Sequence, residues 1–158
     1  MITTKDAART FLESRRIAVT GVSHASKGHG ANVVYTRLRD RGYDVFAVNP
    51  TVDEVEGDRC YHALADIPGG VDAVVIATRP ERAEETVRQC DDLGIKQVWM
   101  HRGPGPGSVC DEATAYGRDH GMTVIDGGCP LMFGPTSDVG HKVMRFFLTL
   151  SGKVPKQV

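Results

Sequence analysis

The sequence predicts an α/β fold: a single Rossmann-like, doubly wound domain with a mainly parallel sheet of five strands and helices on both faces. Three observations favour it. Apolar runs without polar alternation recur about every 25 residues, as in strands that are covered on both sides. Helical patterns alternate with these runs, which is typical of parallel strands joined by right-handed crossovers. The length of 158 residues suits one domain with a full core. We expect the strand order 3-2-1-4-5, with the ligand crevice beside strand one, where the order reverses.

The elements are predicted in order along the chain. The five strands cover residues 17–22, 43–48, 73–77, 95–101 and 122–125. The helices cover residues 3–14, 31–41, 80–93 and 108–119, and a last helix begins at Asp138. The irregular stretch 51–66 has room for a short strand at 59–61. We therefore divide the chain into a helical extension (1–15), a nucleotide-binding domain (16–150) and a tail (151–158).

Helix boundaries and inner faces follow from particular residues. Thr3 or Thr4 is suited to cap the first helix and Ser108 to cap the fourth, because a side-chain oxygen can accept from unpaired N–H groups at a helix start. Pro80 fits the first turn of the third helix. The glycines that follow helices two, three and four are expected to end them; they are Gly42, Gly94 and Gly121. The apolar positions predict that helix one packs through Ala7, Ala8, Phe11 and Leu12, and helix two through Val33, Val34 and Leu38.

Composition excludes several classes of function. There are 19 basic and 20 acidic residues. This near balance of charge does not indicate a nucleic-acid or membrane partner. No apolar run approaches the ~20 residues that span a bilayer, and no leader pattern opens the chain, so we expect a cytoplasmic protein. The four cysteines are widely spaced and the histidines are scattered, which predicts free thiols and no metal site.

The stretch 16–30 has the layout of a strand, a glycine-bearing loop and a helix start. Unpaired N–H groups at a helix start favour an anion, usually a phosphate. NAD is the default ligand for such a fold, but the compact GxGxxG motif is absent, and the second strand ends in Asn49-Pro50 where an acidic residue would hold the ribose. The Walker A pattern is absent too. A nicotinamide-dependent oxidoreductase is therefore disfavoured.

Five segments at the expected strand ends carry a resemblance to a known family. They are Val19-Thr-Gly-Val-Ser23 with Lys27, Val45-Phe-Ala-Val-Asn-Pro50, Val74-Val-Ile-Ala-Thr-Arg-Pro80, Val98-Trp-Met-His101 and Gly127-Gly-Cys-Pro130. In their order and spacing, over residues 16–147, the chain resembles the small stand-alone CoA-binding proteins. The fold of that family is similar to the N-terminal domain of the succinyl-CoA synthetase alpha subunit.

The resemblance implies coenzyme A as the ligand, bound through its ADP half. It implies that the first loop holds the pyrophosphate, through Gly21, Val22, Ser23, His24, Ala25, Ser26 and Lys27. Asn49 and Pro50 would border the adenosine on one side, and Thr78, Arg79 and Pro80 on the other. His101 and Arg102 would lie near the exit path of the pantetheine. A cation would favour the 3′-phosphate that NAD lacks; Lys27, Arg79 and Arg102 are the candidates, and the sequence does not choose among them.

Two classes of function stay open beside NAD chemistry. The favoured one is a non-catalytic module that binds CoA or an acyl-CoA, because the resembled synthetase transfers phosphate through a histidine in a second domain, for which this chain has no room. The other is a small thioester-active enzyme that uses Cys129 or His101, with Gly127 and Gly128 as backbone donors. A buried structural role for Cys129 is favoured over a nucleophilic one. The aromatic last helix fits a homodimer contact, an unknown protein partner or core burial equally well.

Overall fold

The computed structural model describes residues 1–25 and 30–158. Helices α1 to α5 span Thr4–Glu13, Gly30–Asp40, Pro80–Asp92, Asp111–Asp119 and Val139–Leu150. Strands β1 to β7 span Arg16–Thr20, Asp44–Val48, Glu54–Val55, Asp58–Tyr61, Ala73–Ile76, Gln97–Met100 and Thr123–Asp126. Short 3₁₀ helices cover 64–66, 130–132 and 134–136.

The strands form one sheet in the order β3-β4-β2-β1-β5-β6-β7, parallel except for the β3–β4 pair. The α/β class and the mainly parallel sheet are confirmed, but the prediction of five strands in the order 3-2-1-4-5 is wrong. Strand Ala73–Ile76, expected outside β2, pairs with β1 instead, from Ile17 opposite Ala73 to Thr20 opposite Ile76.

The stretch after β2 explains why the strand order differs from the expected one. It forms a hairpin whose two turn residues, Glu56 and Gly57, have φ of 52° and 80°, as a tight two-residue turn requires. This hairpin brings β4 alongside β2, where Ala47 pairs with Cys60. The position beside β2 is thereby filled, so the next strand must join the free side of β1. The short strand expected at 59–61 is confirmed within β4.

Both faces of the sheet are covered, which confirms the expected layers. Ile17 and Val19 pack into one apolar cluster with α1 and α2, while Ala18 between them packs into a second cluster with α3 and α4. Trp99 in the first cluster is fully buried, and its indole N–H donates to the carbonyl of Gly127 at 2.9 Å. Because helices cover both faces, a ligand can approach the centre of the sheet at the loops beyond the carboxyl ends of the strands.

The helix boundaries follow most of the predicted signals. Thr3 caps α1 by accepting from the N–H of Asp6, and Asp138 caps α5 by accepting from the N–H of His141. The prediction that Ser108 caps the fourth helix is wrong: α4 begins at Asp111, and the buried Ser108 hydroxyl donates to the carbonyl of Thr78.

The predicted inner face of helix two is wrong at one position. Val33 is 40% exposed, whereas Ala31, Val34, Tyr35 and Leu38 are buried. The inner face of α1 is confirmed, since Ala7, Ala8, Phe11 and Leu12 are all buried.

The two ends of the chain lie side by side. Ile2 and Val158 exchange backbone hydrogen bonds, and the Thr4 hydroxyl donates to the carbonyl of Pro155 at 2.7 Å. Val154 is buried against the loop after β7. Residues 151–158, expected as a tail, are therefore packed on the first helix and on the carboxyl end of the sheet.

No helix among residues 1–25 and 30–158 is both long enough and apolar enough to cross a membrane.

Candidate functional site

The carboxyl ends of β1 and β5 meet at the centre of the sheet, where the strand order reverses. Gly21 follows β1 there with φ of 81°. A Cβ at Gly21 would lie 2.4 Å from the carbonyl oxygen of Ala77 and 2.8 Å from the amide nitrogen of Thr78. Only glycine allows this approach, which lets the β1–α2 loop pass directly over the end of β5. The two loops therefore share one crevice.

Two asparagines hold the described part of the β1–α2 loop. Asn32, 2% exposed, accepts from the N–H of Ser23 at 2.9 Å and donates to the carbonyl of Ser23 at 2.7 Å. The Asn32 amide also donates to Glu56 at 2.9 Å. Asn49 donates to the carbonyl of Val22 at 2.7 Å. These bonds fix the backbone of residues 22–23 beside the start of α2.

The sequence reasoning missed Asn32. A polar residue on the otherwise apolar inner face of α2 is the signal that could have revealed it, because a buried amide needs hydrogen-bond partners. Asn49 was expected to border the ligand. Its amide is engaged within the protein, since its oxygen also accepts from the N–H of Thr51 at 2.9 Å.

A cavity of about 500 Å³ opens between the loops after β1, β2 and β5. Five predicted site residues line it: Gly21, Asn49, Pro50, Thr78 and Arg79. The structure adds residues from the β4 end and from α3 that the sequence reasoning missed; His62, Arg82 and Thr86 are among them. His62 follows the short strand of an irregular stretch and Arg82 lies one helical turn beyond Arg79, and neither position belongs to a recognisable motif.

The cavity is lined by two arginines, Arg79 and Arg82, and by one carboxylate, Glu85, so the excess of positive charge favours an anion. The guanidinium groups of Arg79 and Arg82 make no hydrogen bond or ion pair with any other described residue. His62, in contrast, is paired with Asp53 at 2.8 Å. Two arginines that have no partner among residues 1–25 and 30–158 suit phosphate groups, which accept several N–H donors at once.

A second cavity, of about 450 Å³, adjoins the first and shares Ala77, Thr78 and Arg79 with it. It is lined by Gly30 and Ala31 at the start of α2, by His101, and by the loop 103–108. The buried hydroxyl oxygen of Thr78, at the junction, has no hydrogen-bond partner among residues 1–25 and 30–158. No acidic residue occupies the first turn of α2, so the positive end of its dipole is not neutralised by its own side chains.

His101 follows β6 and reaches this second cavity. Burial, together with the neighbouring His141, lowers the pKa of His101 to about 4. His101 is therefore neutral near pH 7 and can offer one donor and one acceptor, but not a charge. His141 is held by Asp138 at 2.8 Å, and Asp138 also pairs with Arg37 at 3.4 Å.

The remaining predicted residues lie elsewhere or are engaged differently. Pro80 and Arg102 line a separate cleft between the starts of α3 and α4. Val22 is buried, while His24 and Ala25 are exposed and the N–H of Ala25 donates to the Ser23 hydroxyl at 3.2 Å. Ser26 and Lys27 lie outside the described residues.

The cysteine and the two glycines of the thioester hypothesis lie in a buried part of the fold. Cys129 is 4% exposed, and burial raises the pKa of its thiol to about 12, so it is a thiol and not a nucleophilic thiolate near pH 7. Gly127 and Gly128 serve packing. A Cβ at Gly127 would lie 2.5 Å from the carbonyl oxygen of Lys153, and a Cβ at Gly128 would lie 3.3 Å from Val154.

Comparison with known proteins assigns this chain to a family. Residues 15–135 match the family of the CoA binding domain. The chain belongs to this family. The resemblance identified from the five segments is confirmed, because the match covers them all.

Relatives of this CoA-binding domain protein include both small proteins and parts of larger enzymes. It is 30% identical over 112 residues to the uncharacterized protein YneT of Bacillus subtilis, covering 71% of this chain and 79% of that one. It is 33% identical over 88 residues to the alpha subunit of the ADP-forming acetate–CoA ligase II of Pyrococcus furiosus, covering 56% of this chain and 19% of the ligase subunit. The chain thus spans only about a fifth of that ligase subunit.

Solved structures share the fold. A hypothetical protein from Pyrococcus horikoshii matches with a TM-score of 0.75 and 27% identity, over 91% of this chain and 93% of the other. An acetyl-coenzyme A synthetase from Candidatus Korarchaeum cryptofilum matches with a TM-score of 0.64 and 22% identity, over 86% of this chain and 36% of the synthetase. The second likeness supports the fold alone.

Proposed function

We propose that this protein binds coenzyme A or an acyl-CoA as a binding module, without ligase activity of its own. The ADP half occupies the cavity between the loops after β1, β2 and β5. The pantetheine arm passes the junction at Thr78 and enters the second cavity. The single observation that carries this proposal is the adjacency of two cavities that share Thr78 and Arg79, beside the start of α2, in a chain of the CoA binding domain family.

The dimensions support a ligand of this size. Small-molecule sites measure about 300–1,000 Å³, and the two cavities of about 500 and 450 Å³ together fall at the upper end of that range. A nucleoside diphosphate alone would leave the second cavity empty. A long ligand with a nucleotide at one end and a flexible arm at the other uses both.

The polar groups support the proposed orientation. Arg79 and Arg82 have no partners among the described residues and suit the phosphates of the ADP half. Thr78 lines both cavities, so it lies where the ligand would pass from one to the other. Neutral His101 suits the amide-bearing, uncharged pantetheine arm, because a neutral imidazole both donates and accepts.

Two observations support the proposed lack of ligase activity in this stretch of chain. The match to the Pyrococcus furiosus ligase subunit covers only 19% of that subunit, so most of the ligase lies outside the shared region. Cys129, the sequence's candidate nucleophile, is a buried thiol whose pKa is raised by burial. We therefore expect no acyl-CoA turnover by the purified chain, and the same background rate after Cys129→Ala; measurable turnover that the variant abolishes would contradict this.

Isothermal titration with CoA, acetyl-CoA, dephospho-CoA and NAD tests the ligand class. We expect CoA and acetyl-CoA to bind, dephospho-CoA to bind more weakly because it lacks the 3′-phosphate, and NAD not to bind. NAD binding without CoA binding would overturn the proposal.

A matched pair of variants tests the loop. Ser23→Asp places a carboxylate beside the expected pyrophosphate and should weaken CoA binding about tenfold or more by charge repulsion. Ser23→Ala removes only the hydroxyl that accepts from Ala25 and should change the affinity little. Equal affinities for both variants would remove this loop from the site.

A further inference from the structure

Helix α5 exposes its apolar face to solvent instead of packing it against the core. Leu148 is its only buried residue, whereas Val139, Val143, Phe146, Phe147 and Leu150 are 52–78% exposed. At 100° per residue the five exposed side chains fall within one apolar stripe opposite Leu148. The other large exposed apolar residues among the described ones are Met1 and Ile2 at the start of the chain, Val33 on α2, and Leu93 just after α3. A contiguous apolar stripe of this kind marks an interaction surface.

The stripe is complementary to itself. Val139, Val143, Phe146 and Leu150 are separated by four, three and four residues, the spacing of a helix that packs along another helix. The pattern is symmetric about the point between residues 144 and 145. In an antiparallel pair, Val143 therefore faces Phe146 of a second copy, and Val139 faces Leu150. Each contact joins a small side chain to a large one, as interdigitated packing requires, and each occurs twice, as twofold symmetry requires.

The charges favour the same arrangement. The exposed Lys142 borders the stripe, and α5 itself carries no acidic residue. In a parallel pair the two lysines would face each other, whereas in an antiparallel pair they lie about 7 Å apart along the axis. Antiparallel helix dipoles also attract rather than repel.

The exposed apolar area of the stripe supplies about three quarters of what a stable dimer needs. Two phenylalanines at 62% exposure present about 250 Å². The three aliphatic residues add roughly 200 Å². Counted on both copies, this apolar core reaches about 900 Å² of the roughly 1,200 Å² at which stable interfaces begin, and the polar rim supplies the remainder.

We propose that the protein forms a homodimer through antiparallel pairing of the exposed α5 stripe, Val139–Leu150, with the same stripe of a second copy. The proposal rests on α5 alone and holds whether or not the chain binds coenzyme A. The inner side of the same helix carries His141 near the second cavity, so the dimer contact lies on the opposite side of the helix from the proposed ligand path.

Sedimentation equilibrium of the full chain tests the dimer. We expect twice the 17.1 kDa mass of one chain at micromolar concentration. Phe146→Glu and Val143→Glu should each weaken the dimer at least about 30-fold, the loss typical of a central interface residue. Leu93→Glu, an equally drastic change at a 46% exposed site just after α3, should leave the dimer intact. Circular dichroism checks that each variant is folded. A monomeric wild type, or a dimer that resists both α5 variants, would overturn the proposal.

Disulfide trapping tests the direction of the pair. In a Cys110→Ser background, which removes the one cysteine that is not buried, chains with Val143→Cys are mixed with chains carrying Phe146→Cys. The antiparallel arrangement predicts the mixed disulfide, because a disulfide needs Cα atoms within about 7 Å. Cross-linking of Val143→Cys chains to one another, or no cross-link in the mixture, would overturn it.

Discussion

Gly21→Ala is the substitution that most sharply tests how the crevice is built. The new methyl group would lie 2.4 Å from the Ala77 carbonyl oxygen and 2.8 Å from the Thr78 nitrogen. Both are backbone atoms, so neither can rotate away, and the β1–α2 loop must shift off the end of β5. Because that loop borders the proposed pyrophosphate site, the shift should weaken CoA binding as well as stability.

The loss of stability expected for Gly21→Ala has two contributions. An alanine at φ of 81° costs about 1–2 kcal/mol as a left-handed residue. The steric overlap adds about 1–3 kcal/mol, as overpacking in a close-packed site does. Gly42→Ala is the matched control, since Gly42 has φ of 84° and open space within 4 Å of its Cβ position.

Thermal denaturation and CoA titration of the two variants provide the measurement. We expect Gly42→Ala to lower Tm by about 5 °C and Gly21→Ala by about 10 °C. Only Gly21→Ala should weaken CoA binding, by about tenfold or more. Equal losses of stability and affinity in the two variants would refute the close approach at Gly21 as the feature that forms the crevice.

Three further perturbations test the account. Asn32→Leu leaves the backbone N–H and carbonyl of Ser23 unpaired and should lower the free energy of unfolding by about 2–4 kcal/mol in urea denaturation; a change below about 0.5 kcal/mol would show that the amide does not hold the loop. Arg79→Gln should weaken CoA binding about fivefold and dephospho-CoA binding less, whereas Arg88→Gln, within the helix that follows Arg79 and paired with Glu84, should change neither; equal effects would remove Arg79 from the site. Because the folded pKa of His101 is lowered from 6.5 to about 4, the unfolded chain binds the extra proton first, so stability should fall as pH drops from 6.5 to 4, by on the order of 3 kcal/mol. His101→Asn should flatten that pH dependence, and an unchanged slope would contradict the assignment.

Local patterns predicted the main elements because each carries its own signal. Apolar runs mark β1, β2, β5, β6 and β7, Pro80 marks the start of α3, and Asp138 marks the start of α5. The strand order was not predictable from the same signals. It depends on the hairpin at Glu56-Gly57, a two-residue turn in a stretch without apolar periodicity, which fills the place beside β2.

The candidate site was likewise predictable from the sequence only in part. Residues that follow predicted strands, such as Gly21 and Thr78, were named from the sequence and line the cavity. Asn32 and Arg82 were missed because they lie within helices, where only the three-dimensional arrangement turns them toward the loop or the cavity. The exposure of Phe146 and Phe147 was not predictable from the sequence either. An aromatic helix face predicts burial, but it does not show whether the chain's own core or a second molecule covers that face.

Amide chemical shifts recorded during a titration with CoA test the central claim most directly, because they report both binding and its place. The account predicts progressive shifts at Gly21, Thr78 and His101, with little change at Lys5 and Arg9, which line a cleft beside α1. Shifts confined to that cleft, or none at saturating CoA, would contradict it.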